Sequence, residues 1–192
     1  MSIAKNLLIA LVLILVIATG VIYFLPNNYS LSNSIEIDRP ATLVYQQVAD
    51  FNKWGAWSPW KEMEPDAKVT IEGTPGVEGH KMSWEGKKVG TGHMTLTAYG
   101  ENESLVCTDV FEKPWSATAK DYWVFEETNG KTKVTWITGG GLKFPFGRLA
   151  GLRMEKIVGD PERKGLANLK QVCEAMEQPA VATLVVDSST IH

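Results

Sequence analysis

The chain begins with a long run of apolar positions, residues 7–25, which contains no charged residue and is broken only by Thr19 and Gly20. At the α-helical rise of about 1.5 Å per residue, this run extends roughly 28 Å, close to the ~30 Å hydrocarbon core of a bilayer. Tyr23 suits the lipid–water interface that follows. The pattern therefore predicts an N-terminal transmembrane anchor over residues 1–28.

Two features favour an uncleaved anchor over a cleaved secretory signal. Signal peptides have apolar cores of about 7 to 15 residues followed by small residues, and this run is longer. Its only small-residue site, Ala18-Thr19-Gly20, is followed by further apolar residues. Lys5 precedes the run and the next cation is Arg39. This asymmetry predicts a cytoplasmic N-terminus and a domain on the outer, periplasmic or extracytoplasmic side.

After the anchor, the pattern changes from polar to alternating and then to helical. Residues 29–33 are predicted to be a spacer, and one domain is predicted over residues 34–178. Residues 34–38 alternate as a strand does, and residues 42–51 have the apolar spacing of a helix. Residues 54–60 are rich in Gly, Pro and Trp, and we expect a helical turn that closes into a loop.

Five or six short strands follow, separated by turns that contain Gly, Pro or Asn. The segments with twofold alternation are 67–72, 81–84, 89–99, 105–111, 117–126 and 132–138. Their spacing predicts an antiparallel meander with short hairpins.

The last third of the chain returns to helical spacing. Asp160-Pro161-Glu162 starts a helix with a capping residue followed by Pro at the first position. The apolar residues that then recur every three or four positions are Leu166, Leu169, Val172, Cys173 and Met176. This order of elements predicts an α+β domain, in which a curved antiparallel sheet packs on a long C-terminal helix. Residues 179–192 have no period and are predicted to be a tail.

Composition excludes some classes of function. The 19 Lys and Arg and the 22 Asp and Glu are mixed along the chain, so no basic stripe predicts nucleic-acid binding. Cys107 and Cys173 lack the spacing of a zinc site. Two buried free thiols are favoured over a disulfide. No motif predicts a metal or a cofactor, and the sequence predicts no particular oligomeric state.

Three stretches of the sequence resemble a known family. They are residues 51–60 (FNKWGAWSPW), 77–86 (VEGHKMSWEG) and 164–170 (KGLANLK). They resemble the polyketide cyclase/dehydrase and lipid-transport group of the START-like, helix-grip superfamily, also called SRPBCC, over residues 34–177. The resemblance implies a curved antiparallel sheet that grips the C-terminal helix around an apolar cavity. It implies no single activity, because the superfamily ranges from cyclases to lipid carriers to hydrolase regulators.

The predicted ligand-binding residues are apolar side chains that share one face of a strand or helix. They are Trp57, Trp60, Met82, Trp84, Met94, Trp123, Trp136, Leu166 and Leu169. If these faces point inward, they line a cavity for something hydrophobic. A filled core is the alternative, and periodicity does not distinguish the two. Met94, Leu96 and Ala98 are expected on one face of their strand. Of Trp54, Trp57 and Trp60, two are expected to be structural.

No catalytic residue is predicted. His80 and His93 are isolated from partners that would form a triad or a metal site. An inward Asp109 or Asp121 would act as a general acid or base if burial raised its pKa. The favoured interpretation is that these carboxylates lie on the solvated outer face of the sheet.

Three hypotheses for function remain open. The favoured one is a membrane-anchored, non-catalytic domain that binds, or transports, a hydrophobic small molecule or lipid. The second is a cyclase or dehydratase that acts on an apolar, polyketide-like substrate. The third is an interaction or stress-sensing module whose groove its own side chains fill. The chain from Asn33 onward is expected to fold without the anchor.

Overall fold

Helix α1, Ser2–Phe24, contacts the rest of the chain at its C-terminal end in the computed structural model, which describes residues 2–177. The predicted tail, residues 179–192, lies outside the described residues. Most side chains of α1 are exposed, and the segment Ile3–Phe24 has a mean hydropathy of 3.0 and the length to cross a bilayer. Helix α1 is therefore a candidate single membrane span or signal sequence.

One seven-stranded antiparallel sheet forms the body of the protein, with the strand order β1-β7-β6-β5-β4-β3-β2. The strands are β1 Asn28–Ile37, β2 Lys68–Glu72, β3 Lys81–Glu85, β4 Thr91–Gly100, β5 Ser104–Lys113, β6 Ala117–Thr128 and β7 Lys131–Gly141. Strands β2 to β7 follow one another as neighbours. The predicted meander is confirmed.

Strand β1 begins earlier than the sequence pattern suggests. It pairs with β7 along its whole length, so residues 29–33 belong to the sheet rather than to a spacer. Tyr29, Leu31 and Asn33 are half-buried, whereas the residues between them are exposed. This alternation is weak in the sequence because Asn33 is polar, and it becomes visible only when β7 is placed alongside.

The helices lie at both ends of the meander in the sequence. Between β1 and β2 lie α2 Ala41–Ala49, a 3-10 helix Phe51–Ala56 and α3 Pro59–Met63. After β7 lie α4 Phe146–Gly151, a π-helical turn Glu155–Gly159 and α5 Asp160–Ala175.

Helix α5 packs on the inner face of the sheet through its apolar side. Leu166, Leu169 and Cys173 are each at most 1% exposed within the core. Gly165 allows the close approach of α3, because a Cβ at this position would lie 3.0 Å from Cδ of Pro59. The predicted amphipathic C-terminal helix and the α+β arrangement are confirmed.

Strand β4 departs from simple alternation. Its register shifts between Leu96 and Ala98. Met94 and Leu96 are buried, but Ala98 is exposed, so the expectation that all three share one face is wrong for Ala98. An extra residue at a β-bulge turns the side chains that follow it to the opposite face.

The two cysteines are buried free thiols. Cys107 lies on β5 and Cys173 on α5. Burial raises the pKa of both thiols, that of Cys173 to about 12. Neither is therefore a reactive thiolate near neutral pH.

Candidate functional site

Three carboxyl groups lie together between the sheet and α5. Asp109 comes from β5, Asp121 from β6 and Glu162 from the first turn of α5. Their exposed fractions are 8%, 3% and 0%. We call these three residues the carboxyl cluster. Buried carboxyls are rare unless they are paired, so the partners of the cluster determine what it can do.

Polar side chains from β7 and the edge strand β1 satisfy part of the cluster. Thr138 on β7 donates its hydroxyl to Oδ1 of Asp121. Asn33 on β1 donates Nδ2 to Oε2 of Glu162 at 2.8 Å. Both donors come from strands that also pair with each other, so the sheet fixes their positions.

Other polar atoms of this region have no partner. Oδ1 of Asp109 and Oε1 of Glu162 are buried and accept no hydrogen bond, and the indole N–H of Trp123 is buried and donates none. Trp123 lies two residues after Asp121 on the same face of β6. Nearly all buried polar groups in proteins are hydrogen-bonded. The unpartnered atoms therefore form a set that a bound molecule can complete.

Burial raises the pKa of every carboxyl in the cluster. The pKa of Glu162 rises to about 7, against the lowering effect of Thr138 and Asn33. The pKa of Asp121 rises to about 6. That of Asp109 rises well above its usual range through burial and then through the charge of Asp121. Burial and the neighbouring charge therefore both favour the protonated form of Asp109.

Small residues follow Asp109 across the neighbouring strands, and the Tyr29 ring covers them. Asp109 is in register with Ala119, Ala119 with Gly140, and Gly140 with Tyr29. The Tyr29 ring lies over Gly140, since a Cβ there would be 3.2 Å from a ring carbon. Burial and the nearby carboxylates raise the pKa of Tyr29 to about 12, so it stays a neutral hydroxyl.

Half-buried apolar side chains complete this end of the grip, which we call the open end. Met82, Trp84, Phe111 and Tyr29 are all partly exposed. Met82 pairs with Met94 on β4, and Met94 pairs with Asp109 on β5. The rings of Trp84 and Phe111 meet edge to face, with centroids 5.7 Å apart. The open end therefore joins an apolar surface to the carboxyl cluster.

The predicted ligand-binding residues fall into two groups. Those at most 3% exposed are Trp57, Met94, Trp123, Trp136, Leu166 and Leu169. Those that are half-buried at the edge of the core are Trp60, Met82 and Trp84. The rings of Trp123 and Trp136 stack with centroids 4.1 Å apart. The first group lies within the buried core. In the second group, Met82 and Trp84 lie at the open end and Trp60 lies on α3. Their role in ligand binding remains a prediction.

The three tryptophans of residues 54–60 differ in role. Trp54 donates its indole N–H to the carbonyl of Val48 at 2.8 Å, and Trp57 donates to that of Gln47 at 3.2 Å. Both are buried, which fits the expectation that two of the three are structural. Trp60 is half-buried beside Trp136.

The expectation that Asp109 and Asp121 face solvent is wrong. Each shares the twofold period of inward residues, Cys107 before Asp109 and Trp123 after Asp121. At both positions, the inward alternation overrides the general preference of carboxylates for water. Glu162 is a further buried carboxyl that the sequence-predicted site residues do not include. It lies four positions before Leu166 on the apolar face of α5, and this spacing is the signal for its burial.

The histidines do not contribute to the cluster. His80 is fully buried, accepts from the backbone N–H of Phe51 at its Nε2 and contacts the carbonyl of Glu72 through Nδ1, both at 3.0 Å. This fixes the neutral ring with the proton on Nδ1, in a structural role. His93 lies 3.5 Å from Glu112 near the surface. Among residues 2–177, no group of His, Cys, Asp and Glu is arranged to hold a metal ion.

Comparisons with known proteins place this geometry in a family. The family model described as polyketide cyclase / dehydrase and lipid transport matches residues 29–174. The chain belongs to this family. The match begins at the second residue of β1, in agreement with the early start of that strand. No curated protein matches the chain.

Solved structures share the fold at low sequence identity. Protein Ms6760 from Mycobacterium smegmatis is 19% identical, with a TM-score of 0.55 over 77% of this chain and 92% of that one. The di-domain ARO/CYC BexL from the BE-7585A biosynthetic pathway is 19% identical, with a TM-score of 0.56 over 78% of this chain and 51% of that one. Protein jhp0584 from Helicobacter pylori is 9% identical, with a TM-score of 0.60 over 76% of this chain and 88% of that one. These similarities establish the helix-grip fold that the sequence resemblance implied.

Proposed function

We propose that the domain binds one amphipathic small molecule between the sheet and α5, beside a membrane in which α1 anchors it. The observation that carries the proposal is the pair of buried, unpartnered carboxyl oxygens, Oδ1 of Asp109 and Oε1 of Glu162, next to apolar side chains. The family, described as polyketide cyclase / dehydrase and lipid transport, supports an apolar body for the ligand.

The polar end of the ligand donates hydrogen bonds. A buried acceptor without a partner costs about 1–3 kcal/mol, and a ligand that donates to it recovers this free energy. A carboxylate head group would instead meet Asp121 and Glu162, which are ionised or partly ionised near neutral pH, and would be repelled. The ligand class is therefore a neutral alcohol, phenol or amine on an apolar body, and not a free fatty acid.

The apolar body of the ligand is proposed to contact the open end of the grip. Met82, Trp84 and Phe111 are half-buried there and offer flat or flexible apolar surface. Trp123 and Trp136 lie behind the carboxyl cluster and are reached only if their stacked rings repack. Large aromatic side chains supply much contact area in binding sites of this kind.

The membrane forms part of the proposal. We take residues 7–25 to span the bilayer, with the N-terminus in the cytoplasm and the domain on the outer side. Helix α1 ends at Phe24 and β1 starts at Asn28, so only three residues separate the anchor from the sheet. The domain cannot move far from the lipid surface, so the bilayer is the proposed source or destination of the ligand.

Native mass spectrometry tests this proposal. The full-length protein is purified in mild detergent and incubated with a total lipid extract before the measurement. We expect a 1:1 adduct with a neutral or amine-bearing apolar molecule. Glu162→Gln should retain less of the adduct. The amide NH2 of Gln would replace the acceptor Oε1 and would face the hydrogen-bond donor of the ligand. Exposed Glu126→Gln is the control and should behave as the wild type. An empty wild-type chain would count against binding and favour the interaction module.

An enzymatic function is the second candidate, and one observation favours it. Asp121 and Glu162 have pKa values of about 6 and about 7, close to the pH at which general acids and bases work best. Thr138 contacts Asp121 and lowers the pKa of Glu162, so the two carboxyls are close neighbours. Proton removal by one and proton delivery by the other would suit a cyclisation or dehydration.

The adducts seen by mass spectrometry also test the enzymatic alternative. A binding protein releases the molecule unchanged after prolonged incubation. A dehydratase releases a molecule that has lost one water. A cyclase releases an isomer, which chromatography separates from the starting molecule, or the dehydrated product if elimination follows. Asp121→Asn would abolish either change while retaining the adduct.

A further inference from the structure

Large apolar side chains are exposed at the end of the domain that adjoins α1. Trp115, in the turn between β5 and β6, is 70% exposed, and Phe146 and Leu152 are 69% and 66% exposed. Phe144 and Leu149 are exposed beside them. Trp115 and Phe146 stack with centroids 6.2 Å apart, so the turn between β5 and β6 and the start of α4 join in one surface. We call these five residues the anchor-side face.

The anchor-side face is continuous with the C-terminal end of α1. The rings of Tyr23 and Phe144 lie 6.5 Å apart, centroid to centroid. The Arg148 guanidinium lies over both rings, at 5.4 Å and 5.8 Å, and donates to the carbonyl of Tyr23. Tyr23 is the residue at which the sequence predicts the lipid–water interface. The face therefore lies at the depth where α1 leaves the hydrocarbon.

Positive charge surrounds the anchor-side face. Residues 142–158, which include four of the five residues of the anchor-side face, contain the cations Lys143, Arg148, Arg153 and Lys156. The segment contains a single acidic residue, Glu155. Glu155 pairs with Arg163. The whole chain, by contrast, has a net charge of -3. Exposed aromatic residues flanked by cations are typical of segments that lie in the interface of anionic bilayers.

We propose that the anchor-side face docks into the interfacial zone of the bilayer that α1 spans, with its cations on anionic head groups. The inference rests on the anchoring part of the proposed function, not on ligand binding. Contiguous exposed apolar surface on a monomer marks an interaction site, and contact with the end of α1 makes lipid the nearest partner.

Docking fixes the orientation of the grip. Strand β5 runs from the inward Asp109 past Phe111 to the turn that holds Trp115. The open end therefore lies next to the docked surface and faces the lipid. An apolar ligand can pass between bilayer and grip without crossing water.

Trp115 provides the test, because its quenching by lipid reports its depth. The full-length protein is placed in nanodiscs that hold one chain each, with lipids brominated along the acyl chain. The Trp115 signal is obtained as the difference between wild type and Trp115→Phe. We expect a blue-shifted Trp115 emission that loses most of its intensity in brominated lipid.

Charge reversal tests the role of the cations. In anionic nanodiscs, Arg153→Glu should reduce the quenching of Trp115, and in neutral nanodiscs it should change it little. Lys131→Glu, at the opposite end of the sheet, makes the same change in charge and should have no effect in either lipid.

Two other outcomes of the Trp115 measurement would contradict docking. Water-like emission without quenching would mean that the face is solvated. Blue-shifted emission without quenching by lipid would mean that another part of the same chain covers it. Flotation of the protein with vesicles at high salt and alkaline pH reports anchoring by α1 separately. Ligand retention in native mass spectrometry reports the grip, so a failure of docking is distinguishable from a failure of either.

Discussion

Replacing Glu162 by Gln should make the protein more stable at alkaline pH and remove part of its pH dependence. Glu162 is 0% exposed, and burial raises its pKa from 4.5 to about 7. A carboxyl whose pKa is raised in the folded state stabilises that state below the unfolded pKa. This stability is lost as the pH rises through the folded pKa. The window for Glu162 is therefore about pH 4.5 to 7.

The size of the effect follows from the width of that window. A difference of about 2.5 pH units, at 1.36 kcal/mol per unit, corresponds to about 3 kcal/mol at most. Gln has nearly the same shape and can still accept from Asn33. Near pH 4 the two proteins should therefore be almost equally stable. At pH 8, Glu162→Gln should be the more stable one, by about 3 kcal/mol or somewhat less because Asp121 titrates beside it.

Urea unfolding of the full chain in detergent, followed by tryptophan fluorescence between pH 4 and 8, measures this difference. Glu126→Gln, whose parent side chain is 59% exposed, is the matched control and should follow the wild type at every pH. If the free energies of unfolding of wild type and Glu162→Gln run parallel across the range, Glu162 does not titrate as a buried carboxyl. The argument for the carboxyl cluster would then fail.

Two further predictions concern the scaffold. His80→Ala should lower the free energy of unfolding by about 2–4 kcal/mol in urea titrations, because it removes a buried ring and the hydrogen bonds at both ring nitrogens. The control, His93→Ala, should lower it by about 0.5 kcal/mol or less. Equal losses in the two variants would contradict the structural role of His80. A chain that starts at Pro26 should fold. A chain that starts at Asn33 loses half of β1, and its melting temperature in thermal scans should be lower by about 5 °C or more. Identical melting temperatures would mean that residues 29–33 are a spacer.

Periodicity predicted most of the fold. The apolar faces of α5 and of the strands are strong signals because each element buries one side against a single core. The start of β1 was missed because Tyr29, Leu31 and Asn33 are only half-buried at an edge strand. A pattern of this kind is weak until its neighbour in the sheet is known. The inversion at Ala98 was not predictable from alternation, because a bulge changes the count by one residue.

The candidate site was harder to predict than the fold. Asp109 and Asp121 lie at inward positions by alternation, yet composition alone assigns carboxylates to water. What overrides this preference is the group of side chains brought together by three different elements, with Thr138 and Asn33 as donors. Such long-range pairing is absent from any short window of sequence. The filling of the core by Trp123 and Trp136 likewise depends on packing, which periodicity does not describe.

The proposed function requires that the grip binds an apolar molecule whose donor end meets the carboxyl cluster. Phenylnaphthylamine, a neutral apolar probe with one N–H donor, provides the test of this binding. The full-length protein in nanodiscs is titrated with the probe, and binding is measured as energy transfer from the core tryptophans. We expect saturable binding to one site, weakened about tenfold by Glu162→Gln, which corresponds to 1.4 kcal/mol, and unchanged by Glu126→Gln. A dansyl fatty acid, which carries a carboxylate, should bind more weakly. Equal affinity of both probes, with no difference between the variants, would contradict the claim.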